Sequence, residues 1–255
     1  MDIRNKAWDS KFFRRPISEL VVDGVFDVNQ AKAIVEAADL EGIWGIEAQL
    51  LVQQTLEIRV LEALGFYLVD SKVRFLTSVD LCRLEKVLPP YGRVRLARTN
   101  DLDQIYRLTK ECFVDNTEFV SRYKAPWLFT YDEASNYYKE WNLECMSEYS
   151  DLFVVWELEG KVLGYSSFKP IGRDSSQDVY KGVLAAVDLA HRGRKALNFM
   201  QNYVFHQIGK QTFIVDNTTQ LANVVALRNH MAAGKTLSDI HLVFYRVNDD
   251  NLKTL

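Results

Sequence analysis

The chain has only three cysteines in 255 residues, Cys82, Cys112 and Cys145. No two of them form a CxxC pair, and no histidine stands near any of them at metal-ligand spacing. That excludes a disulfide-stapled scaffold and a zinc cluster. The three read as reduced thiols of a cytosolic protein, packed as small hydrophobes. A basic excess is also missing: 31 Lys and Arg stand against 34 Asp and Glu, a formal net charge of −3. A general nucleic-acid binder needs a basic surface, so nucleic acid is not an expected partner, although a local basic spot can still hold a phosphate. No apolar run reaches the roughly 18 residues that a membrane helix needs. The first residues, MDIRNKAWDSKFFRRP, carry charges where a secretory signal needs an apolar stretch. A cytoplasmic protein with no membrane partner is therefore expected. No Ser-His-Asp or Cys-His constellation is evident.

What is present is an alternation of helical and extended patterns. Residues 1–88 read as a small α/β unit. Asn29 to Ala38 and Gln53 to Leu64 have helical spacing, and Ile43 to Leu50 and Lys72 to Ser78 look extended. In LEALGFYLVDSKVRF, Leu61 to Phe75, a helix stops at Gly65, as a left-handed C′ glycine allows. A strand, a polar turn at Asp70 and Ser71, and a second strand are expected to follow. Pro89, Pro90 and Gly92 break periodic structure, which places a boundary between 1–88 and a larger domain, 89–255.

That second part reads β-α-α-β-β-β-α-β-α-β, with room for one more short strand near Thr236. Arg93 to Arg98 alternates as a strand, and Leu102, Ile105, Tyr106, Leu108 and Cys112 space out an amphipathic helix. A second helix begins near Asp132. Leu152 to Leu158 and Val162 to Phe168 form a hairpin around Glu159 and Gly160, and Val179 to Val187 is a third strand. A helix with apolar face Leu197, Met200, Val204 and Ile208 follows, then a strand at Thr212 to Val215. A helix from Asn223 to Ala233, ended by Gly234, and a strand from Ile240 to Val247 complete the order. The run helix, Gly65, two strands near the end of the first part echoes helix, Gly234, strand at the end of the second.

The segment VLAAVDLAHRGRKALNFM, Val183 to Met200, is the strongest local feature. A strand runs into a basic turn and then a helix. A helix N-terminus offers unpaired backbone N–H groups and a positive dipole end. Gly193 permits close backbone approach, and Arg192, Arg194 and Lys195 add charge, so the segment is a candidate pyrophosphate cradle. The alternative is a solvated basic turn.

These elements and the RG-containing turn resemble the GNAT acetyltransferases. That family places the pyrophosphate of coenzyme A on the turn after its fourth strand, with the pattern Q/R-x-x-G-x-G/A. The present sequence departs from it. Counted from Arg192, Lys195 and Leu197 stand at the small-residue positions; counted from Ala190, Gly193 fits but the leading residue does not. TQLANVVALRNHMAAGK, Thr219 to Lys235, is similar to the family helix N-x-x-A-x-x-x-Y-x-x-x-G-F. Asn223, Ala226 and Gly234 match, His230 stands at the Tyr position and Lys235 at the Phe position. Nearly end to end, the chain also resembles the dTDP-fucosamine acetyltransferase subgroup. The resemblance runs through W-x-x-x-F-F at Trp8 to Phe13, LGF-x-LV at Leu64 to Val69 and RYKAPW at Arg122 to Trp127. It continues through Tyr138 and Trp141, Gly164 and Tyr165, and TQ-x-x-N at Thr219 to Asn223.

The resemblance implies an α/β (α+β) GNAT fold, a central mixed, mostly antiparallel sheet flanked by helices, preceded by a smaller truncated-GNAT-like domain. It implies an acyl-CoA-dependent N-acyltransferase of surface-polysaccharide (lipopolysaccharide) biosynthesis, with no metal. The acyl donor is acetyl-CoA or 3-hydroxybutanoyl-CoA, and the acceptor a dTDP-linked 3- or 4-amino-dideoxyhexose. The amine attacks the thioester directly. Ala186, Val187, Leu189, Arg192, Gly193, Arg194, Lys195, Ala196 and Asn223 then hold coenzyme A. His230 replaces the tyrosine that protonates the thiolate, with a pKa expected near working pH. Arg122, Tyr123, Lys124, Trp127 and Tyr131 are the expected contacts to the nucleotide sugar. Asp188 and Asp216 read as cap or turn residues rather than bases. Another amine acceptor, or a non-catalytic acyl-CoA or nucleotide-sugar binding module, is the alternative, and a homodimer is left open as the assembly.

Overall fold

The computed structural model describes residues 1–22, 26–149, 152–174 and 177–248. Ten strands and seven α-helices are described. In order they are β1 Asp2–Asn5, α1 Ala7–Phe13, β2 Ile17–Val21, α2 Val28–Leu40, β3 Gly45–Leu51, α3 Thr55–Ala63 and β4 Tyr67–Asp80. There follow β5 Arg93–Leu96, α4 Leu102–Thr109, α5 Tyr131–Glu144, β6 Leu152–Leu158, β7 Lys161–Asp174 and β8 Gln177–Val187. The chain continues with α6 Ala196–Ile208, β9 Thr212–Gln220, α7 Val224–Ala232 and β10 Thr236–Val247. Contacts divide the chain into two compact units. One is Met1–Val73 with Val120–Glu133 and Asp239–Leu255; the other is Arg74–Phe119 with Ala134–Ser238. The division runs through β4 and β10 rather than at Pro89.

In the first unit β1 pairs antiparallel with β2, β2 parallel with β3, and β3 antiparallel with β10. Its core is Leu20, Val35, Ala38, Ile46, Ala48, Leu50, Leu61, Phe66 and Phe244. α2 forms because Asp27 caps it, its carboxylate accepting from the N–H groups of Asn29 and Gln30. Three early elements, β1, α1 and β2, carry no strong period and went unread in the sequence.

One expected turn is absent. Asp70 and Ser71 lie inside a single 14-residue strand, β4. Asp70 is buried and its carboxylate accepts the N–H of Ser71 at 2.8 Å. One carboxylate oxygen is satisfied locally inside the strand, where the pair was expected to break it.

In the second unit the strand order is β4-β9-β8-β7-β6-β5. β8 and β9 are parallel; β8 with β7, β7 with β6 and β6 with β5 are antiparallel. Phe199, Met200 and Val204 of α6 pack with Trp156, Phe168, Phe213 and Val215. Ile105 and Leu108 of α4 pack with Phe153, Val155, Tyr165, Leu184 and Ala186. Because Val155 and Trp156 alternate along β6, the two helices cover opposite faces of the sheet. The strand expected from Ile240 begins at Thr236, and the basic turn reaches Lys195 before α6 starts. No described helix is long and apolar enough to cross a membrane. β2-α2-β3-α3-β4 and β8-α6-β9-α7-β10 share one order of elements, each opening on a parallel strand pair.

Candidate active site

In the second unit the parallel pairing of β8 and β9 runs from Val179 with Ile214 to Gly182 with Asn217 and then stops. Residues 183–187 of β8 keep β7 as a neighbour, with Ala185, Ala186 and Val187 opposite Ser166, Tyr165 and Gly164, and have no β9 partner. A strand edge with unpaired backbone N–H and C=O groups is a binding template for another extended chain. Opposite it the β7–β8 register shifts between Ser166 and Phe168, and the buried Ser167 hydroxyl accepts the N–H of Leu184 at 3.1 Å.

The open edge leads straight into the basic turn. Asp188 stands at its start, accepting the N–H of Ala190 at 3.0 Å and pairing with Lys161 at 3.5 Å. Leu189 is largely exposed. The Nε–H of Arg192 donates to the Val187 carbonyl at 3.1 Å, and its guanidinium lies 3.2 Å from the Cys112 sulfur. Arg194 lies over the Tyr91 ring at 5.4 Å, and the Tyr91 hydroxyl meets His191 Nδ1 at 2.8 Å. Gly193 takes a left-handed φ of 75°, with nothing within 4 Å of where a Cβ would stand. Lys195 precedes α6, also at positive φ, and its side chain makes no capping hydrogen bond. The N-terminus of a 13-residue helix thus opens among three cations with no side-chain cap. Ala196 is buried in the core below, and Asn223 caps α7, accepting the N–H of Ala226 at 3.1 Å.

The same overall fold occurs among solved structures. A GCN5-related N-acetyltransferase from Sphaerobacter thermophilus superposes with a TM-score of 0.61 at 14% identity, over 97% of this chain and 76% of that one. One from Kribbella flavida gives 0.59 at 13% identity, over 91% and 81%. The fold is that of the GCN5-related N-acetyltransferases. In sequence, the dTDP-fucosamine acetyltransferase of Escherichia coli O6:H1 is 24% identical over 203 residues, 79% of this chain and 81% of that protein. No family model matches the chain. Both comparisons thus lead to N-acetyltransferases, the activity class expected from the sequence, and support the resemblance to the GNAT sugar acyltransferases.

On this GNAT frame the residues expected at coenzyme A fall along one path, from Ala186 and Val187 through the turn to Ala196, with Asn223 at the start of α7. His230 lies on α7, 8% exposed, its ring 4.9 Å from that of Phe75. Its expected pKa does not hold. Burial, and next the charge of Lys235, push the imidazole down to about 3, so the ring is uncharged near neutral pH.

Beside it lies a group that the sequence marked only as a departure from the family pattern. Gly234, at φ 71°, turns the chain after α7, and the N–H of Lys235 returns to the His230 carbonyl at 3.1 Å. The Lys235 ammonium donates to Gln201 Oε1 of α6 at 2.7 Å and to Asn217 Oδ1 of β9 at 2.6 Å. Burial lowers its pKa to about 7. Asn217 is the last β9 residue paired with β8, so the ammonium stands where the two strands part. Asp216, the residue before Asn217 in β9, is no cap: it is buried and ion-paired with Arg74 at 3.0 Å.

The residues expected at the nucleotide sugar belong to the first unit. Arg122 is ion-paired with buried Glu47 at 2.8 Å and donates to the Tyr123 hydroxyl at 2.7 Å. Lys6 joins Glu47 at 2.8 Å. Against its burial, the charges of Arg122 and then Lys6 hold the Glu47 carboxyl down at about 2. Tyr123 is buried, Trp127 packs edge-on against Tyr67 at 5.7 Å, and Tyr131 is 55% exposed. Lys124 lies in the short turn Arg122–Lys124 that carries the first two. Arg122 and Tyr123 thus have intramolecular partners that sequence spacing did not suggest.

Proposed function

We propose that the protein transfers an acyl group from acyl-CoA to the amino group of a dTDP-linked amino-dideoxy sugar. The observation that carries the reading is the parting of β8 and β9 after Gly182 and Asn217, beside the basic turn that opens α6. The unpaired edge at 183–187 suits an extended pantetheine arm, with Ala186 and Val187 offering backbone groups to it. The turn from Leu189 to Ala196 suits a pyrophosphate: Arg192, Arg194 and Lys195 supply charge, Gly193 close approach, and the α6 N-terminus its N–H groups. The E. coli relative supports the acceptor class. Lys124, Trp127 and Tyr131 are assigned to the acceptor, while Arg122 and Tyr123 hold their segment in shape. Residues 1–88 are read as a reduced copy of the larger domain, which the shared order of elements supports.

The chemistry needs no covalent intermediate. In this reading the amine attacks the thioester carbonyl, backbone N–H groups on the open strand take the developing oxyanion, and the thiolate leaves. A place in surface-polysaccharide synthesis follows from the acceptor class. The test is thioester cleavage with acetyl-CoA and 3-hydroxybutanoyl-CoA, each against dTDP-linked 4-amino and 3-amino dideoxyhexoses. A rate with one pair names the acyl group and the position of the amine together. No rate with any pair, but tight binding of coenzyme A, moves the acceptor to another amine. No rate and no binding overturns the reading.

A further inference from the structure

The strands β8 and β9 part at a polar cluster set against an apolar core. Lys235 reaches it from the turn after α7, Gln201 from α6 and Asn217 from β9. Gln201 and Asn217 stand on the same helix and strand as Phe199, Met200, Phe213 and Val215 of the buried core. An ammonium has three N–H donors. Two are engaged by the amide oxygens of Gln201 and Asn217, neither of which carries charge. Asn217 is itself fixed against the strand opposite, since a Cβ on Gly182 would fall 2.2 Å from its Nδ2. The amine is therefore aimed from three elements at the point where the open edge of β8 begins.

We propose that Lys235 is the proton donor to the departing coenzyme A thiolate, in place of the residue at the helix position occupied by His230. This rests on the acyltransfer reading above. The amine nitrogen of the sugar forms a bond to the thioester carbonyl carbon, and the carbon–sulfur bond breaks with its electron pair passing to sulfur. The third N–H of the Lys235 ammonium then supplies a proton to sulfur, leaving a neutral lysine and a free thiol. The proton lost from the attacking nitrogen goes to water, and water returns one to Lys235. The charge of Lys235 acts on His230 of α7, burial is what lowers the pKa of Lys235 itself, and α6 and β9 face it with the neutral amides Gln201 and Asn217. The uncharged imidazole is a weak acid in this setting, whereas an ammonium with its pKa drawn down to about 7 is matched to the task at neutral pH.

The experiment is the pH profile of kcat for wild type, Lys235→Met and Lys235→Arg. It follows loss of thioester absorbance with saturating donor and acceptor, alongside the Kd for acetyl-CoA. Lys235→Met is expected to lower kcat by on the order of 10²-fold, to leave acetyl-CoA affinity near the wild-type value, and to abolish the alkaline limb of the profile. Lys235→Arg keeps the charge but cannot release the proton, so its rate is low and its profile flat on the alkaline side. It also serves if the methionine variant does not fold. A kcat within twofold of wild type in either variant, or an unchanged alkaline limb, overturns the assignment and leaves acyltransfer standing. A wild-type protein that cleaves no thioester overturns both.

Discussion

Gly182 and Asn217 are the last cross-strand pair before β8 and β9 part, and the side chain of one occupies the space the other leaves empty. Gly182→Ala would place a methyl group 2.2 Å from Asn217 Nδ2, so the amide must turn away and release Lys235. Losing a hydrogen bond to a charged group costs roughly 1.5–3 kcal/mol. Urea denaturation of Gly182→Ala should show a loss of that order. An unchanged midpoint would mean that the amide rotates without cost.

Arg192 and Arg194 are expected to act together on coenzyme A. Changing both to Ala should weaken acyl-CoA binding in titration calorimetry by roughly 1.5–3 kcal/mol per lost charged contact, with a smaller salt dependence than wild type. Binding unaltered by the double change would place the pyrophosphate elsewhere.

Gly193→Ala tests the turn separately. Its left-handed φ of 75° is strained for any residue with a Cβ, at roughly 1–2 kcal/mol. The space around it is open, so the effect should come from backbone strain alone. A crystal structure of the variant with a redirected turn, or a weakened Kd for acetyl-CoA, is the expected result.

The pair His230 and Lys235 makes stability rise with pH in two stages. The folded state lowers the His230 pKa from 6.5 to about 3, so between these values the unfolded chain binds the proton more readily and stability grows as pH rises. Lys235, lowered from 10.5 to about 7, has the same sign in the alkaline window between those values. Thermal melts across pH should show both stages. His230→Phe should remove the acid one and Lys235→Met the alkaline one. Retention of the acid stage in His230→Phe would move its origin to other groups.

Glu47 is the acidic centre of the first unit. Glu47→Gln removes the carboxylate that Lys6 and Arg122 share, leaving Lys6 only Asp9, which should destabilise the fold by roughly 3–5 kcal/mol. Its folded pKa of about 2 lies below the ordinary 4.5, so its contribution is complete above pH 4.5 and lost as pH falls towards 2. Acid unfolding followed by tryptophan fluorescence checks the window. A wild-type midpoint in Glu47→Gln would contradict the buried pair.

Much of the second unit was legible in the sequence because its elements announce themselves locally. The hairpin around Glu159 and Gly160, the strand running into the basic turn, and the helix between Asn223 and Gly234 each carry period, cap or turn chemistry within a few residues. The same local reasoning misjudged Asp70 and Ser71, because their turn propensity is outweighed once the carboxylate is buried in a strand. It left Asp216 as a cap, because the ion pair with Arg74 joins residues 142 positions apart.

The sequence by itself determined the order of helices and strands from β5 to β10, the glycine stops at Gly65 and Gly234, and the basic turn at Arg192 to Lys195. All of these rest on contacts between near neighbours in the chain. Only the tertiary structure decided where β8 and β9 part, that Arg122 spends its charge on Glu47, that the His230 ring is held neutral, and that Lys235 meets Gln201 and Asn217. Those facts depend on burial and on partners brought from distant parts of the chain, and neither desolvation nor a cross-strand neighbour leaves a mark on local spacing.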